Sequence, residues 1–195
     1  MESGIDFAMD NRKQLLIAAL QDTDEQVRKL AADALEKIET RDRLYVLEKK
    51  IDRGEMIDKI RAVYALGDLK GAAIIEILKK AAKDPSEDVR SAAVRVMGST
   101  GDIGVLASLV ESLKDQSVMV ARTAVEAIAK FKDPRLLGPL MLALKHEDTG
   151  VVERALDAVG GIGDKRAEEA MLYFAVKGNP RMRGLALKAL GTMDR

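Results

Sequence analysis

Alanine recurs at Ala31, Ala62, Ala93, Ala124, Ala155 and Ala186, six times at a spacing of 31 residues with no insertion. Other columns keep the same period. Leu35, Leu66, Met97, Ile128, Val159 and Leu190 lie four residues after each alanine. Ala34, Ala65, Val96, Ala127, Ala158 and Ala189 lie three after it. Val27, Asp58, Val89, Val120, Val151 and Met182 lie four before it. Apolar positions at i, i+4, i+7 and i+8 make one face of a helix, not the alternation of a strand. A second apolar set, Leu16, Leu47, Leu78, Leu109, Leu140 and Met171, keeps the period and marks another helix in each unit. Each unit is therefore a helical hairpin, A followed by B.

A hairpin of this size cannot bury both apolar faces alone. A strict period without insertions is the pattern of hairpins stacked in a row, each touching only its neighbours. The expected fold is all-α, an α-solenoid of six two-helix repeats at 11–39, 42–70, 72–101, 103–132, 134–163 and 165–194. Residues 1–10 precede them and read as an N-terminal extension or partial cap, with Ile5, Phe7 and Met9 laid over the open end of the first unit. The alanine column marks where B helices approach most closely. Gly67, Gly98, Gly160 and Gly191 form a further column, with Ala129 in the fourth unit and Glu36 in the first. It is expected to face the preceding repeat, because the exception in the first unit has no predecessor; helix C-caps are the alternative.

Cap signals punctuate the repeats. Asp24, Glu55, Ser86, Ser117, Asp148 and Asn179 stand at the start of the B helices, and all but Glu55 have the short side-chain acceptor a cap needs. Asp102, Asp133 and Asp164 stand equivalently before A helices. The second unit is the least regular, with Asp58 in the valine slot. Either Ile57 turns inward in its place, or Ile57, Ile60 and Tyr64 form an apolar surface patch. In the last unit Met171-Leu172-Tyr173-Phe174-Ala175-Val176 is apolar nearly all round, and Leu185 and Leu187 add to it. Terminal repeats normally carry a polar outer face. That end is expected to be covered by another element, to self-associate, or to continue into a longer array.

The segment D-P-x-x-x-V-R-x-x-A (Asp84, Pro85, Val89, Arg90, Ala93), with Met97-Gly98 and Gly101-Asp102, resembles HEAT-like repeats, in particular the short type named after phycobilisome lyases. The resemblance covers about residues 11 to 194; Asp58, Ala121 and Val152 depart from it. It implies a right-handed superhelix with B helices on the concave side, where partners dock. It also implies that Arg28, Lys59, Arg90 and Arg183 pair with acids in the turns of adjacent units, where Asp22, Asp84 and Asp115 stand.

Little in the chain points to chemistry. Lys and Arg total 32 and so do Asp and Glu, which removes the electrostatic case for a nucleic-acid partner. With no cysteine there is no thiol chemistry and no zinc site of the usual kind. His146, the only histidine, sits beside Glu147 in a turn; the di-iron hydroxylases that resemble this fold repeat such a pair on several helices. Helical-repeat DNA glycosylases also resemble it but need a basic, aromatic groove. There is no phosphate-binding glycine loop, no nucleophilic triad and no H-E-x-x-H. No cofactor or metal is expected. No secretory leader or membrane-spanning run is apparent, and the expected location is cytoplasmic.

Two outward columns of the B helices are expected to form the partner surface: Lys29, Ile60, Ser91, Arg122, Glu153, Gly184, and Asp33, Tyr64, Arg95, Glu126, Asp157, Lys188. They change sign and size from unit to unit. Tyr64, Arg95, Arg122 and Glu126 are the expected contacts, since Tyr and Arg are favoured anchors. The resulting expectation is a non-enzymatic scaffold or adaptor for a protein or peptide. The alternative is an enzyme or enzyme subunit related to bilin lyases, acting on a client protein.

Overall fold

The computed structural model describes the backbone of residues 3–193 and the side chains of residues 11–193. Every regular element among them is helical, and the reading of Ile5, Phe7 and Met9 as a cap lies outside the described side chains. The chain separates after Lys49 into two units.

The first unit holds α1 (Ser3–Ala19) and most of α2 (Glu25–Arg53). The turn between them is built by acids. Asp22 Oδ1 accepts the Asp24 N–H at 2.9 Å, and Asp24 Oδ1 caps α2 through the Gln26 and Val27 N–H groups. The backbone of residues 3–10 continues α1 as helix. The break expected between residues 39 and 42 does not form, and α2 runs through it. Glu36-Lys37-Ile38-Glu39-Thr40-Arg41-Asp42 contains neither glycine nor proline, and nothing there interrupts the i to i−4 ladder. At the same place the later units carry Gly67, Gly101, Pro134 or Gly163.

The second unit is a row of hairpins. Its B helices are α3 (Met56–Leu66), α5 (Glu87–Thr100), α7 (Val118–Ala129), α9 (Thr149–Ile162) and α11 (Pro180–Leu190). Its A helices are α4 (Ala72–Ala81), α6 (Leu106–Ser112), α8 (Leu137–Ala143) and α10 (Glu168–Lys177). The B helices stack in order, α3 on α5, α5 on α7, α7 on α9 and α9 on α11. Each A helix packs on the B helix that follows it, from α4 on α5 to α10 on α11. This is the all-α, solenoid arrangement that the period predicts.

The columns explain the packing. All six column alanines are buried. Leu78, Leu109, Leu140 and Met171 hold the A helices down and are fully enclosed, at roughly 2 kcal/mol each. The glycine column is indeed a close approach, but its direction is opposite to the expected one. A Cβ on Gly98 would lie 2.5 Å from Ala127 Cβ, and one on Gly160 would lie 2.8 Å from Ala189 Cβ. The column therefore faces the following repeat. Gly67 and Gly191 of this column also stand at the C-caps of α3 and α11, in right-handed conformation, while Gly101 and Gly163 outside it end α5 and α9 in the left-handed region at φ 69° and 71°.

Asp102, Asp133 and Asp164 cap the A helices as expected, accepting from the N–H of Gly104, Arg135 and Arg166. Each of these helices enters through a 3-10 turn. Asp148 and Asn179 cap α9 and α11. Ser86 and Ser117 do not bond as caps. Their own N–H groups are taken by Asp84 and Asp115, two residues upstream, so the turn is closed by the acid and not by the serine.

Candidate binding surface

The turns between A and B helices carry a ladder of ion pairs from one repeat to the next. Lys59 Nζ reaches Asp84 at 2.7 Å. Arg90 is bidentate to Asp115, with both nitrogen–oxygen distances at 2.8 Å, and its other nitrogen donates to the carbonyls of Asp84 and Pro85. Arg90 is nearly buried, and Asp115 with it. Burial alone would raise the Asp115 carboxyl, but the Arg90 bonds and the Ser117 N–H outweigh it and hold it below the usual carboxylate range.

Where the column pattern fails, the ladder shifts. The next positions are Ala121 and His146, which cannot pair. Arg122 instead reaches Asp148 through two bonds, at 2.9 and 2.7 Å. The guanidinium holds the Asp148 carboxyl down at about 2. His146 keeps the turn closed by accepting the Asp148 N–H on Nδ1, as aspartate does elsewhere. Arg28, whose ladder position 25 residues ahead is occupied by Arg53, donates to the carbonyls of Asp22 and Thr23 in its own turn.

Arg122, one of the expected partner contacts, is therefore also a ladder residue, with 42% of its side chain still exposed. Its column is not uniformly outward: Ser91 is buried and hydrogen-bonds Thr123 between α5 and α7 at 3.1 Å. The other column is exposed throughout: Asp33, Tyr64, Arg95, Glu126, Asp157 and Lys188.

Within the second unit this exposed line has two characters. Along α7, α9 and α11 it is knitted by ion pairs: Glu126 to Arg154 at 2.5 Å, Glu153 to Arg181 at 3.1 Å, and Asp157 to Lys188 at 3.2 Å. These surround a shallow depression of 200 Å³. Along α3 and α5 it is unengaged. Arg95 makes no ion pair among the described residues, and Tyr64 is 47% exposed. Ile57 is 57% exposed and Met56 is exposed beside it, so Ile57 does not turn inward to replace the missing valine. Ile60 is half-buried. Of the two readings of the second unit, the apolar surface patch is the one the side chains adopt.

The A side holds two larger grooves. One, of 810 Å³, lies between α8 and α10 and is lined by Met141, Leu144, Ala170, Tyr173, Phe174 and Met182 with Lys145, Glu147, Arg166 and Glu169 among others. The other, of 800 Å³, lies between α6 and α8 and is lined in part by Val110, Leu113, Pro139 and Leu142. His146 and Glu147 border both. The expectation of a single B-face surface did not include them. Their signal is the apolar pair Val110 and Met141, again 31 residues apart, each lining one groove. Among the described residues no three His, Asp or Glu side chains gather as a metal site requires, and no helix is long and apolar enough to cross a membrane.

Comparison with known proteins agrees with this geometry. The family model for HEAT repeats matches residues 54–129 and 106–191. Among solved structures, one of the CpcE–CpcF complex of phycocyanin lyase from Nostoc sp. PCC7120 is similar at 20% identity and a TM-score of 0.66. The match covers 77% of this chain and 65% of that one. A designed armadillo repeat protein in complex with the peptide (KR)4 matches at 20% identity and a TM-score of 0.60, over 92% of this chain and 98% of that one. YibA from E. coli matches at 19% identity and 0.63, over 97% and 74%. No curated protein matches the chain by sequence.

Proposed function

This chain belongs to the HEAT-repeat family, and we propose that it is a non-enzymatic scaffold or adaptor that holds a protein or peptide on its B-helix face. One observation carries the reading: every B helix buries its column alanine and exposes, at one equivalent position, a residue that varies, Asp33, Tyr64, Arg95, Glu126, Asp157, Lys188. An invariant packed frame with one variable exposed line can display a partner-specific surface without disturbing the fold. Within that line Tyr64 and Arg95 are the anchors, because neither makes an ion pair among the described residues and the exposed Met56 and Ile57 lie about two turns before Tyr64 on α3. An aromatic and an arginine beside apolar surface is the composition of an interface hot spot. Glu126 and Arg122 support it from within the ion-pair network, holding the neighbouring turns in register.

A partner captured by the immobilised chain and identified by mass spectrometry tests this. Tyr64→Ala with Arg95→Ala is expected to weaken binding at least tenfold while leaving the melting temperature unchanged. Binding unaffected by that pair, or lost instead on filling the groove between α8 and α10 with Ala170→Trp, moves the surface elsewhere. A bilin-lyase role has only the fold likeness behind it, and visible absorbance acquired on co-expression with bilin would be its signature.

A further inference from the structure

The far side of the last hairpin is built like an inter-repeat face. Val63, Val94, Val125 and Leu156 are the B-helix residues turned to the next repeat in each interior hairpin, and each is 0% exposed. The next member of that column is Leu187, which is 60% exposed. Gly98 and Gly160 lie against the helix of the next repeat, whereas Gly191 meets only carbonyl oxygens of its own helix. Lys59 and Arg90 each reach an acid 25 residues ahead, but Arg183 makes no ion pair among the described residues. On α10, Leu172 and Val176 are exposed at the positions where Val110 and Lys114 line the groove toward the next A helix. Of the four contacts between B helices in the second unit, all four have the buried apolar residue, three have the glycine and two have the column cation on an acid 25 residues ahead.

The first hairpin carries the complementary parts. Its B-helix residues equivalent to the buried Ala92 and Val96, which receive the preceding repeat, are Leu30 and Ala34; Leu30 is 67% exposed. Asp22 accepts the Asp24 N–H at 2.9 Å, the bond that Asp84 and Asp115 make at 2.9 and 2.8 Å while they also receive a cation. Asp22 has the turn geometry of a ladder acid, and no cation reaches its carboxylate among the described residues.

We propose that the chain associates head to tail with a second copy of itself, the far face of its last hairpin seated on the near face of the partner's first. The 31-residue register then runs unbroken from one copy into the next. In that register the acid 25 residues beyond Arg183 is Asp22 of the second copy, the residue opposite Gly191 is Ala34 of the second copy, and Leu187 packs on Leu30 of the second copy. The charges are of opposite sign, and the glycine again meets an alanine. Such an interface is heterologous, so it grows into an open array unless its rotation closes a ring.

Sedimentation velocity of the 195-residue chain over a range of concentrations tests the proposal. The mass is expected to rise with concentration. Leu187→Glu and Leu30→Glu, each at an exposed site, are each expected to give a monomer with unchanged helicity. Mixing the two variants is the decisive arm: each retains one intact face, so the mixture is expected to form a dimer and stop there. Arg183→Asp and Asp22→Arg are each expected to weaken association about tenfold, and the double exchange to restore it. These charge variants keep the test sharp if either leucine variant loses helix. A wild-type chain that stays monomeric at high concentration overturns the proposal. So does a Leu30→Glu variant that associates as well as wild type, since that would place Leu187 against its own equivalent.

Discussion

Gly98→Ala is the substitution at which two opposed effects can be weighed. In an ordinary helix interior, alanine in place of glycine gains up to about 1 kcal/mol from backbone propensity. At Gly98 the new Cβ would lie 2.5 Å from Ala127 Cβ and 2.8 Å from Ala127 Cα. Carbon atoms pack at roughly 3.5–4.0 Å, so α5 and α7 must part by about 1 Å. Their interface contains Val94, Met97, Ala124 and Ala127, all buried, and opening it loosens contacts along both helices. Overpacking of this kind costs about 1–3 kcal/mol. Set against the propensity gain, the net is a loss of about 1–2 kcal/mol, or a fall of about 3–6 °C in melting temperature for a chain of this length. Gly161→Ala is the control. Nothing lies within 4 Å of a Cβ at that helical position, so only the propensity gain remains and the melting temperature is expected to rise by about 1–3 °C. Ala127→Gly added to Gly98→Ala removes the nearer atom but leaves the Cα at 2.8 Å, so it recovers only part of the loss. Circular dichroism melts of the four proteins decide the matter. A Gly98→Ala protein as stable as wild type, or more so, would falsify the reading of this column as the closest approach between helices.

Arg90→Ala is expected to cost about 3 kcal/mol in chemical denaturation, because it strands the largely buried Asp115 carboxylate along with two turn carbonyls. Lys83→Ala, which removes the exposed pair with Glu111 at 3.5 Å, should change stability by less than about 0.5 kcal/mol. Lys132 is the one non-glycine residue at positive φ among the described residues, at 48°, and it shares its column with Gly101 and Gly163. Lys132→Gly relieves that strain and is expected to stabilise by about 0.5–1 kcal/mol, read as a higher melting temperature. Asp148 and Asp164 are both held down at about 2, through hydrogen bonds from Arg122 and Arg166. A depressed carboxyl contributes stability that is present above its unfolded value of about 3.9 and is lost as pH falls through the folded one. Melting temperature should therefore drop between about pH 4 and pH 2, and Arg122→Gln should remove the Asp148 share of that drop.

The period made most of the fold legible. Ala31 to Ala186 are buried because a spacing without insertion fixes which face each residue shares, whatever the rest of the sequence does. Direction was not legible in the same way. Every interior repeat has a neighbour on both sides, so a column of glycines records a close approach without saying to which neighbour, and Gly98 lies on the following helix. The continuous α2 did leave a signal, the absence of glycine and proline from residues 36–42. A strict period invites the reader to place a turn there regardless. Ser91 shows the other limit. Helical spacing places it outward, but a small hydroxyl opposite Thr123 lets α5 and α7 close over both.

Arg122 was the least legible of the expected contact residues, and the reason bears on function. The ladder column loses its cation at Ala121 and its acid at His146, both members of the same pair. One residue on from the missing cation and two on from the missing acid, Arg122 and Asp148 make the same bidentate bridge between the same two turns. Three successive turns carry a bridge, and at the third the charges have slid together, cation and acid alike. Removing one member of a matched pair in a half-buried turn is costlier than removing both, so paired displacement keeps the repeat interface intact. A cation in that bridge has two of its five N–H donors already spent. Along the B face Glu126, Asp157 and Lys188 are likewise engaged, bonding to Arg154 or to each other. Tyr64 and Arg95, on adjacent helices at equivalent positions, make no side-chain bond among the described residues, which is why the proposed surface centres on them.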